Sequence, residues 1–158
     1  MHTDDRLSLQ RIDRLRRDRV EPARYRATAP LQITAWTVPG EPVPFEVAAA
    51  QEFAPVAVGD AWGRPWGTVW FRVQGAVPAE WAGQDAAATV LVADLGFVSS
   101  TLPGFQAEGL VFRPDGHVVK AVEPRNREVR VVGDRVDLFV EAAANPNVAR
   151  EFTFEPTP

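Results

Sequence analysis

The sequence predicts an all-β fold: an antiparallel two-layer β-sandwich preceded by a short N-terminal α-helix. Three observations carry this prediction. Most of the fourteen prolines and eleven glycines lie beyond residue 30, where they cut the chain into short runs rich in Val, Phe, Trp and Thr. Two of those runs alternate strictly. Val69, Phe71 and Val73 point one way, and Thr68, Trp70, Arg72 and Gln74 the other; Val136, Leu138, Val140 and Ala142 oppose Arg135, Asp137, Phe139 and Glu141. No helical run after residue 22 is long enough to carry a βαβ crossover, so the strands pair antiparallel.

The elements follow in chain order. Residues 4–20 predict a short helix, with Thr3, Asp4 or Asp5 as its cap and acids suited to the dipole at its start. Leu9, Ile12 and Val20 share one face, Leu15 lies at its margin, and Pro22 ends the run. The stripe is narrow, so the helix needs a surface to dock on: the end of the following domain, or a neighbouring domain or subunit. Strands are then expected over residues 31–38, 68–74, 89–95, 106–113, 117–122, 128–132 and 135–142, with a terminal one over 150–155. Pro39-Gly40 closes the first. Pro114-Asp115-Gly116 and Gly133-Asp134 each read as a hairpin turn. The organisation is thus an Arg-rich helical arm over residues 1–26 and a β-sandwich domain over 27–158.

Composition excludes several chemistries. The 158 residues suffice for one domain with its own core. With no cysteine, disulfides, thiolate metal sites and cysteine nucleophiles are out. The N-terminus is dense in charge, without the apolar core of a secretory signal, and no stretch approaches 18 consecutive apolar residues. A cytoplasmic protein with no membrane segment is therefore expected. The arm carries eight arginines against five acids, +3, whereas residues 27–158 carry nine basic and sixteen acidic residues, −7. The larger part should repel nucleic acid, and acids interleave the arginines of the arm, so no nucleic-acid partner is expected.

Chemistry-bearing residues are sparse. His2 and His117 stand alone, without zinc-motif spacing, and Ser99 and Ser100 lack a Gly-x-Ser-x-Gly elbow. Asp94, Glu108, Asp137 and Glu141 lie on expected strands; two of them side by side would resemble a glycosidase pair, but each is expected to face solvent opposite an apolar face. The aromatic cluster is the strongest local signal. Trp62, Trp66 and Trp70 fall within nine residues, and Trp70 shares its face with polar Thr68, Arg72 and Gln74. Phe139, flanked by Asp137 and Glu141, poses the same question. Such rings are covered by a second layer of the domain, by another domain or subunit, or by a sugar ring. Candidate contact residues for a carbohydrate or a neighbouring domain are therefore Trp62, Trp66, Trp70, Arg72 and Phe139, with Arg125 and Asn126 as polar donors from a loop. No catalytic and no metal-ligating residue is assigned.

Five blocks in one order carry a resemblance: Trp66-Gly67-Thr68-Val69-Trp70-Phe71-Arg72-Val73; Val77-Pro78-Ala79-Glu80-Trp81-Ala82-Gly83; Gly104-Phe105-Gln106-Ala107-Glu108-Gly109-Leu110; Pro124-Arg125-Asn126-Arg127; and Val136 through Pro146. Together they resemble the N-terminal domain of the α-mannosidases of glycoside hydrolase family 38, of the bacterial and cytosolic or vacuolar type. The resemblance implies a galactose-binding-like or jelly-roll sandwich, and a polypeptide much longer than this chain. It implies a separate catalytic domain that binds zinc through His and Asp and hydrolyses mannosides with retention. None of that domain's residues maps onto this sequence, so zinc is expected elsewhere and the segment itself is expected to be inactive. The end at Thr157-Pro158, just after the last expected strand, reads as a cut from a longer protein. Implied partners are the catalytic domain of the same polypeptide, a second copy in a homo-oligomer, and a mannose-containing glycan.

Overall fold

The structure is a computed structural model that describes residues 5–81, 89–97 and 106–146. It divides into two compact units, residues 1–30 and 31–158. The expected caps Thr3 and Asp4 and the expected strand at 150–155 lie outside the described residues, as do Ser99 and Ser100.

The first unit contains helix α1, Asp5–Leu15, continued by a π-helical turn, Arg16–Val20. Leu9, Ile12, Leu15 and Val20 are all exposed, and no residue of α1 is buried. Surface ion pairs Arg14–Asp18 at 3.4 Å and Arg16–Glu21 at 3.2 Å brace its last turns. The stripe read from the sequence is present on this helix.

The second unit is the sandwich. Its strands are β1 (Gln32–Thr37), β2 (Ala54–Pro55), β3 (Thr68–Ala76), β4 (Val90–Val92), β5 (Glu108–Phe112), β6 (Val118–Val122), β7 (Glu128–Arg130) and β8 (Arg135–Ala143), with a five-residue helix α2 (Phe45–Ala49) between β1 and β2. Among the described residues, six strands form one sheet in the order β2-β1-β3-β8-β5-β6, and β4 and β7 form a second; every pairing is antiparallel. The centre is the long β3–β8 ladder, in register from Thr68 opposite Ala143 to Ala76 opposite Arg135.

This register fixes both faces of the large sheet. Val69, Phe71 and Val73 of β3 join Val136, Val140 and Ala142 of β8, Val111 and Val122. Leu91 and Val129 of the small sheet pack against them and close the main core. The opposite face carries Trp70, Phe139 and Phe112, covered by Val38 and by Ala48 of α2. Alternation at period two thus feeds two cores, one on each side of a single sheet.

Of three boundaries, one matches the sequence expectation and two depart from it. β4 stops at Val92 because Asp94 turns the chain: its Oδ1 accepts the Gly96 and Phe97 amides, both at 3.1 Å, and Gly96 sits at φ 82°. Pro114-Asp115-Gly116 is the expected hairpin, with the Arg113 and Gly116 amides bonded at 2.9 Å to the His117 and Arg113 carbonyls. Gly133-Asp134 is not a hairpin. β7 pairs with β4, while β8 pairs with β3 and β5, so this turn carries the chain from one sheet to the other. The Asp134 carbonyl is taken by the Val77 amide at 2.8 Å, at the far end of β3. A two-residue Gly-Asp turn has the same local signature in both settings; the partner of β7 decides which is built.

Candidate functional site

Trp70 is 1% exposed and Phe139 4%, so neither is a contact residue on this unit. The cover is α2 and its flanks. Pro44 caps the helix start, and its carbonyl accepts the Val47 and Ala48 amides, both at 3.1 Å, setting the tight turn that lowers Phe45 onto the sheet. The Phe45 ring lies 6.0 Å from Trp70 and 5.3 Å from Phe139, edge to face, and 5.5 Å from Phe112, stacked. Phe53 meets Phe139 at 5.8 Å. Of the three covers the sequence left open, the domain's own second layer takes Trp70 and Phe139.

Arg72 belongs to the same layer. Its guanidinium makes two parallel bonds to Asp137, each 3.2 Å, and lies 5.1 Å over the Phe139 ring. Arg72 faces Phe139 and Asp137 faces Gln74 in the ladder, so the pair is a cross-strand diagonal. It stitches β3 to β8 beside the aromatic layer.

Trp62 sits on the other side of the sheet, its ring edge-on to Phe71 at 5.3 Å and its Nε1 donating to the Leu95 carbonyl at 3.3 Å. It is half-buried packing against the main core. Arg125 and Asn126 lie in the β6–β7 turn. Asn126 donates to the Ala121 carbonyl at 3.2 Å and accepts from Lys120, whose Nζ also reaches the Glu128 carbonyl at 2.8 Å. The Asn126 side chain therefore closes its own turn. Trp66 differs from all of these. It is 64% exposed, and it adopts a left-handed φ of 65°. The candidate residues do not converge on one site: three form an internal layer, one supports the opposite core, two build a turn, and one ring is presented to solvent.

The sequence did not single out a groove of about 440 Å³ on the α2 face of the large sheet. Its floor is Leu110, Ala121 and Ala143, Thr68 and Pro42 line it, and Glu108, Glu123 and Glu141 supply its charge. The register puts these together. Glu141 lies opposite Leu110 and Trp70, and Glu108 opposite Ala143, so the two acids are diagonal neighbours on one face. Only a knowledge of which strands pair could have shown this. Asp94 and Asp137, the other two acids weighed from the sequence, are paired instead, Asp94 with Arg127 at 2.9 Å and Asp137 with Arg72.

Burial raises the Glu141 carboxyl above the usual carboxylate range. The folded state then holds this proton to higher pH than the unfolded chain does, so stability falls as pH rises from the ordinary carboxylate value through the raised one. Glu141→Gln is expected to remove that slope, and to leave stability at neutral pH unchanged or higher. Urea midpoints measured at acid and neutral pH check this. A variant midpoint that drops at neutral pH would mean that the carboxylate is favourably engaged.

Among the described residues, no group of three or more His, Cys, Asp or Glu side chains is arranged so that it could hold a metal ion. Nor does any helix among them have the length and apolarity to cross a membrane.

The family described as alpha-mannosidase, jelly roll domain, matches residues 29–157, nearly the whole second unit. The chain belongs to this family. Human alpha-mannosidase 2C1 is 30% identical over 130 residues, 77% of this chain and 11% of the human protein. Mouse alpha-mannosidase 2C1 is 47% identical over 45 residues, 28% of this chain and 4% of that protein. The chain thus matches only about a tenth or less of the length of these relatives. As a jelly-roll domain of α-mannosidases, the sandwich uses its aromatic signature largely for construction. The run Thr68-Val69-Trp70-Phe71-Arg72-Val73 within the family match is β3, the strand that feeds both cores.

Proposed function

We propose that this chain is the non-catalytic N-terminal domain of a longer, retaining α-mannosidase that removes terminal α-D-mannosyl residues in the cytoplasm. The jelly-roll match over residues 29–157 carries this reading. The sandwich packs on a catalytic domain of the same polypeptide, which supplies zinc through its own His and Asp side chains. By that packing it helps to assemble the enzyme and to shape access for substrate.

The use of side chains within the domain supports the division of labour. Arg72, Asp137, Asp94, Arg127, Lys120 and Asn126 are engaged in internal ion pairs and turn closure, which leaves them satisfied rather than poised for acid–base work.

Assay of an aryl α-D-mannoside with and without zinc tests the reading. The complete encoded polypeptide should release the aryl alcohol, and the 158-residue chain should not. Turnover by this chain alone, or an inactive complete polypeptide, overturns the proposal.

A further inference from the structure

Trp66 combines two unfavourable features. A large apolar ring stands in water, and an L-residue other than Asn or Asp occupies the left-handed region. The backbone around it is pinned. The Trp66 amide donates to the Ala144 carbonyl at 2.9 Å, the Ala144 amide to the Gly67 carbonyl at 2.9 Å, and the Gly67 amide to the Arg64 carbonyl at 2.8 Å. A ring mounted on so fixed a turn loses little backbone freedom on meeting a partner.

The turn borders the acidic groove. Thr68, two residues on, and Ala143, one residue before Ala144, are cross-strand partners and both line it. The groove is largely apolar, yet neither the Glu108 nor the Glu141 carboxylate forms an ion pair or side-chain hydrogen bond among the described residues. The lining therefore suits an occupant that is apolar with a cationic group. Because β8 ends at Ala143 and Ala144 is bonded to the Trp66 turn, the chain leaves the sheet beside this surface. In the human relative nearly nine-tenths of the protein lies outside the matched part, 11% being covered.

We propose that Trp66 and this groove form a docking surface for the remainder of the same polypeptide. The occupant is a segment that lays an apolar side chain on the indole and directs an arginine or lysine to Glu108 and Glu141. This deepens the functional reading above and rests on it.

Footprinting of the complete encoded polypeptide against the 158-residue chain tests the inference. Hydroxyl radicals read the Trp66 ring, and carbodiimide-mediated amine coupling reads the two carboxylates. Expected is a several-fold drop in Trp66 oxidation and in Glu108 and Glu141 labelling in the complete polypeptide, the contrast between an open ring and one in an interface core. Trp66→Ala in that polypeptide should bring carboxylate labelling back toward the level of the short chain. If an active complete polypeptide leaves Trp66 and both acids as reactive as before, the docking surface is elsewhere: this inference falls and the functional reading stands. Should the complete polypeptide lack α-mannosidase activity, or the reading frame end with this chain, the functional reading falls and takes the inference with it. Protection of Trp66 by free mannose in the short chain would assign the ring to a sugar and overturn the proposal.

Discussion

Trp70→Ala is expected to lower stability by about 3–5 kcal/mol, the range for emptying a large aromatic site in a packed core. The indole is 1% exposed and touches rings on both sides, Phe112 at 5.2 Å and Phe45 at 6.0 Å. Its removal opens a cavity that α2 and the sheet cannot both collapse to fill, since the sheet is held by ladder bonds and Ala48 is already fully buried. Against a typical net stability of about 5–15 kcal/mol, this is a large fraction. The thermal midpoint should fall by on the order of 10 °C. Trp66→Ala is the matched control: the same residue type, four positions earlier, with its ring in water. Its change should stay within about 0.5 kcal/mol. Equal effects of the two variants in thermal melts would refute the placement of Trp70 as core and Trp66 as surface.

Trp70→Phe refines the argument. Trp70 Nε1 is buried without a hydrogen-bond partner among the described residues. An unpaired buried donor of this kind costs about 1–3 kcal/mol in the wild type. Phenylalanine deletes the donor while keeping most of the apolar contact, so its cost should be well below that of alanine. Denaturant midpoints of the three forms should fall in the order wild type and Phe close together, Ala far below.

The large sheet was legible because its two longest strands alternate without interruption. In Val69-Trp70-Phe71-Arg72-Val73 every side chain has its facing fixed by position alone, and the structure keeps each one. What alternation could not reveal was the cover on the second face. α2 is five residues long, too short for a helical period to stand out, and β2 is two residues, Ala54–Pro55. The polar neighbours of Trp70 were likewise misleading. Arg72 and Asp137 cancel one another across strands, and Thr68 is itself 6% exposed, so a polar-looking face is in fact largely covered. The groove was invisible for a related reason. Glu108 and Glu141 are 33 residues apart and meet only because β5 pairs with β8. That is a choice of partner strand, which local pattern does not encode. The family blocks were legible as words in order and located the domain; they carried no information on which of their rings would be buried.

Gly63→Ala should be the most damaging small change in the turn that presents Trp66. Gly63 sits at φ 62°, where a Cβ is disfavoured, and an added Cβ would stand 2.7 Å from the Cβ of Ala144, a residue with no exposed surface. The backbone term and the overpacking term together predict a loss of about 2–4 kcal/mol. Ala144 cannot give way easily, because its amide and carbonyl are bonded to Gly67 and Trp66. The collision should therefore be relieved by opening the turn, which frees the end of β8 as well. The two causes can be separated. Ala144→Gly removes the atom in collision and leaves the dihedral unchanged. In the double variant Gly63→Ala/Ala144→Gly, the Gly63 substitution should cost only the backbone part, about 1–2 kcal/mol. A double-mutant cycle in urea thus reads a favourable coupling between the two sites. Zero coupling would mean that the Trp62–Gly67 turn does not close on Ala144, and the fixed presentation of Trp66 would lose its physical basis.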